Sequence, residues 1–304
     1  MEKPLPVRKR KRKSTVLDLI LALLMVGGLA YIGYRINVGL SYKWKWEAIP
    51  QYLFRIDPET GNWVPNLLIQ GLLTTIRLSV WATLVATVLG TVVGFFRISN
   101  SLFKRLIGRT FVELIRNMPP LVLIFVFYFF VSDQIMPIIG VDDFARSASR
   151  ETQAVMGFLF APPQFFEAFI SATLTVAIFE AAYIAEIVRS GIQSIHSGQT
   201  EASWALGMSW WQTMRHVVLP QAVQRILPPL AGQFISTIKD SAIVSVISIQ
   251  ELCFQGMELM AATYLTFECW ITITVLYLVL TLSLSLAVER LEIRMRRNAA
   301  LCFL

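Results

Sequence analysis

The amino-acid sequence predicts an all-α membrane protein, a polytopic helical bundle with six spans. Three observations carry that prediction. The 304-residue chain is 55% hydrophobic and only 15% charged, whereas soluble domains carry about 25% charged residues. Six stretches reach the ~20 apolar residues that a bilayer-spanning helix needs. The formal charge of +7 is concentrated at one end, because seven of the 27 Lys and Arg residues fall within the first thirteen positions. The mean hydropathy of +0.60 excludes a disordered chain. Without the basic start and Glu2, 20 basic residues face 19 acidic ones. A nearly neutral body of this kind points to no nucleic-acid partner.

The elements follow in order. Residues 1–14 form a basic tail containing Lys3, Arg8, Lys9, Arg10, Lys11, Arg12 and Lys13, suited to anionic lipid headgroups. Residues 15–36 read as an uncleaved transmembrane anchor. Their apolar run continues through Tyr34 with no polar region before a cleavage site. Residues 37–65 form an external segment with Trp44, Trp46 and Trp63, the aromatic type found at membrane interfaces. Five further spans are predicted at 67–96, 114–132, 166–188, 222–249 and 264–288. They leave an external insert at 132–165, a cytoplasmic loop at 189–221 and a C-terminal tail at 293–304.

Orientation follows from the bias of Lys and Arg toward the cytoplasm. With the N-terminal tail inside, 19 basic residues fall on the cytoplasmic side and six on the other. Arg116 and Arg225, at the cytoplasmic ends of their spans, are counted with that side, and Arg77 and Lys239 lie farther inside spans. This predicts a multi-pass membrane protein with both ends in the cytoplasm. The cysteines (Cys253, Cys269, Cys302) have no metal or disulfide spacing, and two histidines are too few for a His-based centre.

Residues 196–220, HSGQTEASWALGMSWWQTMRHVVLP, read as two short helices joined by a sharp turn. Gly198 is placed as the cap of the first, with Glu201 at its third position. Gly207 suits a left-handed helix stop. Ser209 and Gln212 have capping-box spacing. Trp210, Trp211, Met214, Val217 and Val218 then share an apolar face, opposite Gln212, Thr213, Arg215 and His216. Pro220 is expected to end this second helix.

Ionisable residues inside spans are costly and point to a path or a partner. Glu180 lies within the 166–188 span, with Tyr183, Ile184 and Ile187 on its face. It can either line a path for a substrate ammonium or pair with another helix. Lys239 and Asp240 are placed deep in the fifth span, as contacts for a substrate carboxylate or as an interhelical salt link. Pro228 and Pro229 upstream suit a kink. Glu113 with Arg116, and Glu186 with Arg189, are read as structural i,i+3 pairs. Gly90 and Gly94 form a small-xxx-small contact. Arg77 is expected to snorkel at the external end, and His196 and His216 to be surface residues.

Glu201-Ala202-Ser203, then Gly207, Val217 and Leu219-Pro220, resemble in order and interval the EAA loop of ABC importer permeases. Ser203 replaces the usual Ala, and Val217 a common Ile. Residues 71–94, 112–121 (VELIRNMPPL), 180–200 (EAAYIAEIVRSGIQSIHSGQT) and 239–243 (KDSAI) resemble the polar amino acid uptake permeases of that superfamily; Met118 and Pro120 depart from the pattern. The resemblance implies a five-helix type I permease core over 66–292, here with one added N-terminal helix. It implies ATPase coupling through Gly198, Glu201, Ala202, Ser203, Gly207, Leu219 and Pro220. The implied partners are a cytoplasmic ATPase dimer, a second permease subunit, identical or paralogous, and a periplasmic amino-acid-binding protein. The substrate lean is toward acidic or broad-range amino acids. The chain lacks a Gly-x-x-x-x-Gly-Lys-Ser/Thr phosphate loop, so ATP and Mg²⁺ are assigned to the partner ATPase and no enzymatic activity to this subunit. An ion-coupled secondary transporter of small polar solutes is the alternative, and it would carry inverted repeats that the two halves do not display.

Overall fold

The computed structural model describes residues 16–39, 42–59 and 61–301. The basic tail 1–14 and Cys302 lie outside the described residues. Among the described residues, six helical segments are long and apolar enough to cross a membrane: Val16–Arg35, Leu67–Ile98, Pro120–Ile139, Pro163–Gln193, Trp210–Ile247 and Thr266–Arg290.

The chain divides into two units at Lys45. The first contains helix α1 (Val16–Gly39). Its described side chains are exposed on every face, as suits a helix whose surroundings are apolar all round.

The second unit begins with a small antiparallel hairpin, β1 (Phe54–Ile56) and β2 (Trp63–Pro65), with Arg55 opposite Val64. Helix α2 (Leu67–Ile98) follows, then the amphipathic α3 (Leu102–Asn117) and α4 (Pro120–Phe130). The expected span 114–132 is therefore displaced. Met118 and Pro119 are extended, and the helix restarts at Pro120. The cause is local: a residue before proline is driven out of the helical region, while proline itself suits the first helical turn. The span then continues through a π turn at Val131–Ile135 to Ile139, taking the first part of the predicted insert into the membrane segment. The rest of the insert forms two short helices, Val141–Ser147 and α5 (Arg150–Leu159).

The centre of the bundle is α6 (Phe166–Gln193), buried along most of its length. It packs chiefly against α2. On α2, Leu78, Ala82, Ala86, Gly90 and Gly94 recur every four residues and all are buried. They face Val176, Ala177, Ala181, Ile184 and Val188 of α6 in one continuous core. A Cβ at Gly90 would lie 2.8 Å from the Ala181 carbonyl oxygen and 2.8 Å from Ile184. At Gly94 it would lie 2.8 Å from Val188. Small residues at this seam let the two backbones approach, which supplies dispersion contact where lipid removes the hydrophobic drive between helices.

Arg77 does not snorkel. Its Nη1 donates to the carbonyls of Gly157 (2.6 Å) and Phe160 (3.1 Å), and Trp81 Nε1 donates to Leu159 O (2.9 Å). The last turn of α5 leaves these carbonyls without intrahelical partners, and a cation there also opposes the helix dipole.

After α6 come the loop helices α7 (Ser197–Ala205) and α8 (Trp210–Thr213) and then α9 (Leu219–Asp240). A 3-10 turn at Ser241–Ile247 replaces the end of the predicted fifth span. Helix α10 (Leu252–Thr263) and the long α11 (Thr266–Leu301) complete the chain. Helix α11 runs unbroken across the predicted boundary at 292.

Replacing Gly90 by Leu should displace α2 from α6. Overpacking of this kind costs about 1–3 kcal/mol. The midpoint of thermal aggregation of the detergent-solubilised protein should fall by several degrees. Gly232→Ala, where an added Cβ meets nothing within 4 Å, should leave it in place.

Candidate functional site

The loop 196–220 is a folded elbow. His196, not Gly198, caps α7: its ring Nδ1 accepts from the Gly198 N–H at 3.1 Å. Glu201 consequently stands at the fifth helical position, exposed, instead of the third. The capping function moved because a side-chain acceptor satisfies an orphan N–H that glycine leaves unmet. Gly207 adopts φ +79° with open space around it. The Gly207 N–H reaches Trp204 O (2.9 Å) and the Met208 N–H reaches Ser203 O (3.1 Å), which is the Schellman arrangement that stops a helix. Ser209 and Gln212 form the expected capping box.

The departure at position 203 has a partner. Ser203 is buried and its Oγ donates to Thr200 O at 2.7 Å. Its only proton is thus committed, so the 2.8 Å contact with Thr213 Oγ1 is a bond donated by Thr213. Thr213, placed by periodicity on the polar face, is therefore buried and locks α8 onto α7. On the apolar face Met214 and Val218 are buried, while Trp210 and Trp211 remain exposed. Those two rings border a groove with Phe95 and Phe96 of α2.

Pro220 does not end the second helix. A π turn at Met214–Val218 carries the chain directly into α9, with Pro220 in its first turn. The π turn accommodates the proline: the Leu219 N–H bonds to Met214 O, five residues back, just before the residue that has no N–H to give. The elbow is tied to the bundle on both sides. Arg225 of α9 donates to the Ser194 carbonyl at the end of α6. At Gly191 of α6 an added Cβ would fall 2.3 Å from Ile226 of α9. Ala202, Trp204, Ala205 and Leu206 are left exposed beside Glu201 on α7.

The intramembrane polar residues separate into distinct contacts. Glu180 is fully buried on α6 and its Oε2 accepts from Gln233 Nε2 of α9 at 2.7 Å. Tyr183 is half-buried, 5.3 Å from the Phe179 ring, with the Arg116 guanidinium 5.5 Å from its centroid. Lys239 and Asp240 are exposed in the last turn of α9, which gives way directly after them to the 3-10 turn that completes the segment Trp210–Ile247. Asp240 remains within Coulombic reach of both Glu180 and Lys239.

The expected Glu113–Arg116 pair is replaced. Glu113 accepts from Asn117 Nδ2 at 3.1 Å, and Arg116 turns to Tyr183. Glu186 binds Arg189 as expected and also Arg97 of α2. A further buried carboxylate, Glu251, escaped the sequence reading. It caps α10 by accepting from the Phe254 N–H (2.7 Å), and it also accepts from the Tyr277 hydroxyl (2.9 Å) and Thr75 (3.4 Å). Its only sequence signal is an acidic residue just before an apolar helix.

Comparison with known proteins decides what kind of chain this is. Residues 86–297 match the family described as binding-protein-dependent transport system inner membrane component. The chain belongs to this family. It is 35% identical over 235 residues to the glutamine transport system permease protein GlnP of Escherichia coli K12, covering 76% of this chain and 93% of the relative. The probable glutamine ABC transporter permease protein GlnM of Bacillus subtilis 168 is 33% identical, over 77% of this chain and 95% of its own length. Among solved structures, an amino acid ABC transporter with histidines is similar with a TM-score of 0.60 and 32% identity, covering 75% of this chain and 94% of that one. The inward-facing MetNI methionine ABC transporter shares the fold, with a TM-score of 0.56 at 19% identity. The chain is thus an ABC importer permease of the polar amino acid group, and the ion-coupled alternative gains no support.

Thr213→Val should loosen the elbow without unfolding the bundle. One hydrogen bond is worth roughly 1 kcal/mol, or about fivefold in local opening. Amide exchange at Gly207 and Met208 should quicken by that factor. Adding Ser203→Ala should quicken it by less than the sum of the two single changes, since the hydroxyl pair is lost only once and the Ser203–Thr200 bond alone remains to be removed.

Proposed function

We propose that this chain is the membrane subunit of an ATP-driven importer of polar amino acids in a bacterial inner membrane, coupled to its ATPase through α7. The observation that carries the reading is the prefolded elbow. It presents Glu201 and a small apolar surface on a segment locked to both α6 and α9. A force applied at α7 is therefore delivered to the two helices that share Glu180 and Gln233.

The coupling follows physically. ATP and Mg²⁺ act on two partner ATPase subunits, which close on one another. The docked elbows move with them, and each carries α6 and α9 as a rigid unit. A second permease subunit supplies the opposing wall, so the cavity between them opens alternately to either side. Such a switch needs contacts that differ in free energy between the two states. A periplasmic binding protein delivers the amino acid at the outer face. The 19-to-6 distribution of basic residues supports cytoplasmic placement of both termini and of the elbow.

Relatives named for glutamine transport and for glutamate/aspartate import support an acidic or amide-bearing substrate. The candidate path residues are Glu180, Tyr183, Lys239 and Asp240. Lys239→Met should change the apparent affinity or the rate of uptake if the exposed ammonium meets the substrate carboxylate; unaltered kinetics would remove it from the path.

Glu201→Lys should abolish coupled uptake in proteoliposomes that contain the complete transporter. Reversing a charge at a docking surface sets like charges or unpaired groups against the partner and should lower transport roughly tenfold or more. Full uptake with normal ATPase co-purification would sink the coupling assignment.

A further inference from the structure

Helix α3 carries a charge arrangement that transport coupling does not use. Its buried Gly108 seats it against α2, where an added Cβ would lie 2.9 Å from Arg97 Cγ and 3.2 Å from the Val93 carbonyl. This close seating opens a groove of about 530 Å³ beside the contact. Four guanidinium groups line it: Arg97 of α2, Arg105 and Arg109 of α3, and Arg189 of α6. Arg97 and Arg189 share Glu186. Arg105 and Arg109, one turn apart and both exposed, have no acidic partner within ion-pair distance among the described residues. Glu113, the acid on the wall itself, is occupied by Asn117. Four positive charges therefore face two negative ones.

The same wall also includes Leu102 and Leu106, and the adjoining face of α3 exposes Phe103, Ile107 and Leu114. An exposed apolar stripe beside unpaired arginines marks a helix lying in the membrane interface. Arginine forks match phosphate oxygens in bidentate geometry.

We propose that this groove binds the headgroup of an anionic phospholipid. Arg105 and Arg109 hold the phosphodiester, Arg97 and Arg189 complete the positive field, and the acyl chains run along Leu102 and Leu106. Apolar lining and the neighbouring stripe favour a lipid over a free anion, which would gain nothing from them. Occupancy would wedge α3 against the Arg97–Glu186–Arg189 cluster, tying the bundle to the composition of its membrane.

The test uses the full-length protein with native mass spectrometry and titrated lipid. Wild type should retain phosphatidylglycerol in preference to phosphatidylcholine. R105Q/R109Q should weaken that retention roughly 10- to 30-fold, as for two charges near an anionic lipid. R105K/R109K, which keeps both charges but loses the bidentate forks, should fall between wild type and R105Q/R109Q. A variant with Arg8, Lys9, Arg10, Lys11, Arg12 and Lys13 changed to Gln should preserve the selective site, since the tail is a separate basic segment. Both tested side chains are exposed, so monodisperse elution should be unchanged. Equal retention of phosphatidylglycerol by wild type and R105Q/R109Q would overturn the proposal. Displacement of the lipid by inorganic phosphate at similar concentration would do so too, by marking a free-anion site. A third overturning result is loss of ATPase co-purification in R105Q/R109Q with lipid retention intact, which would assign the groove to a protein partner.

Discussion

Close approach of α2 and α6 is the constraint on which the rest of the bundle depends. In lipid the helices gain no hydrophobic energy by leaving solvent, so backbones must come near enough for dense dispersion contact. The four-residue ladder from Leu78 to Gly94 provides that proximity. Because α6 is then held on one side, its other faces are free to receive α9 at Gly191 and α4 through the Phe179 and Leu123 cluster. The positions of Glu180, Arg97 and the elbow are all consequences of where α6 sits.

Buried and half-buried carboxylates in this bundle act as ties between elements. Glu180 joins α6 to α9 through Gln233, Glu186 joins α6 to α2 through Arg97, and Glu251 joins α10 to α2 and α11 through Thr75 and Tyr277. Each carries a desolvation cost and persists because its partners are in place. Such ties are directional, unlike apolar packing. A helix that shifts must exchange hydrogen-bond partners, which suits a protein that moves between discrete arrangements.

The elbow joins this framework to the proposed docking surface. Its stops are chemical: a histidine cap, a left-handed glycine, a serine–glutamine box and a hydroxyl pair. They make the loop a rigid extension of α6 and α9. In the proposed coupling, the exposed face of α7 would transmit displacement that an unstructured loop of the same length would absorb.

Much of this was legible along the chain. Apolar runs located the spans, the Gly90–Gly94 spacing marked a helix contact, and Gly207 with Ser209–Gln212 marked the elbow's turn, because each depends on residues close in sequence. The placement of charges across the spans likewise carried the expected orientation. What sequence neighbours could not decide was the choice among long-range partners. Arg77 meets α5 some 80 residues away, Thr213 meets Ser203 across the turn, and Glu180 meets Gln233 on another helix. Arg116 prefers an aromatic ring of α6 to the acid on its own helix, and Lys239 lies exposed in the last turn of α9. Local sequence determines where a helix forms and stops through its own hydrogen bonds and sterics. Which polar group faces which depends on how the helices are rotated against each other, and only tertiary packing sets that rotation.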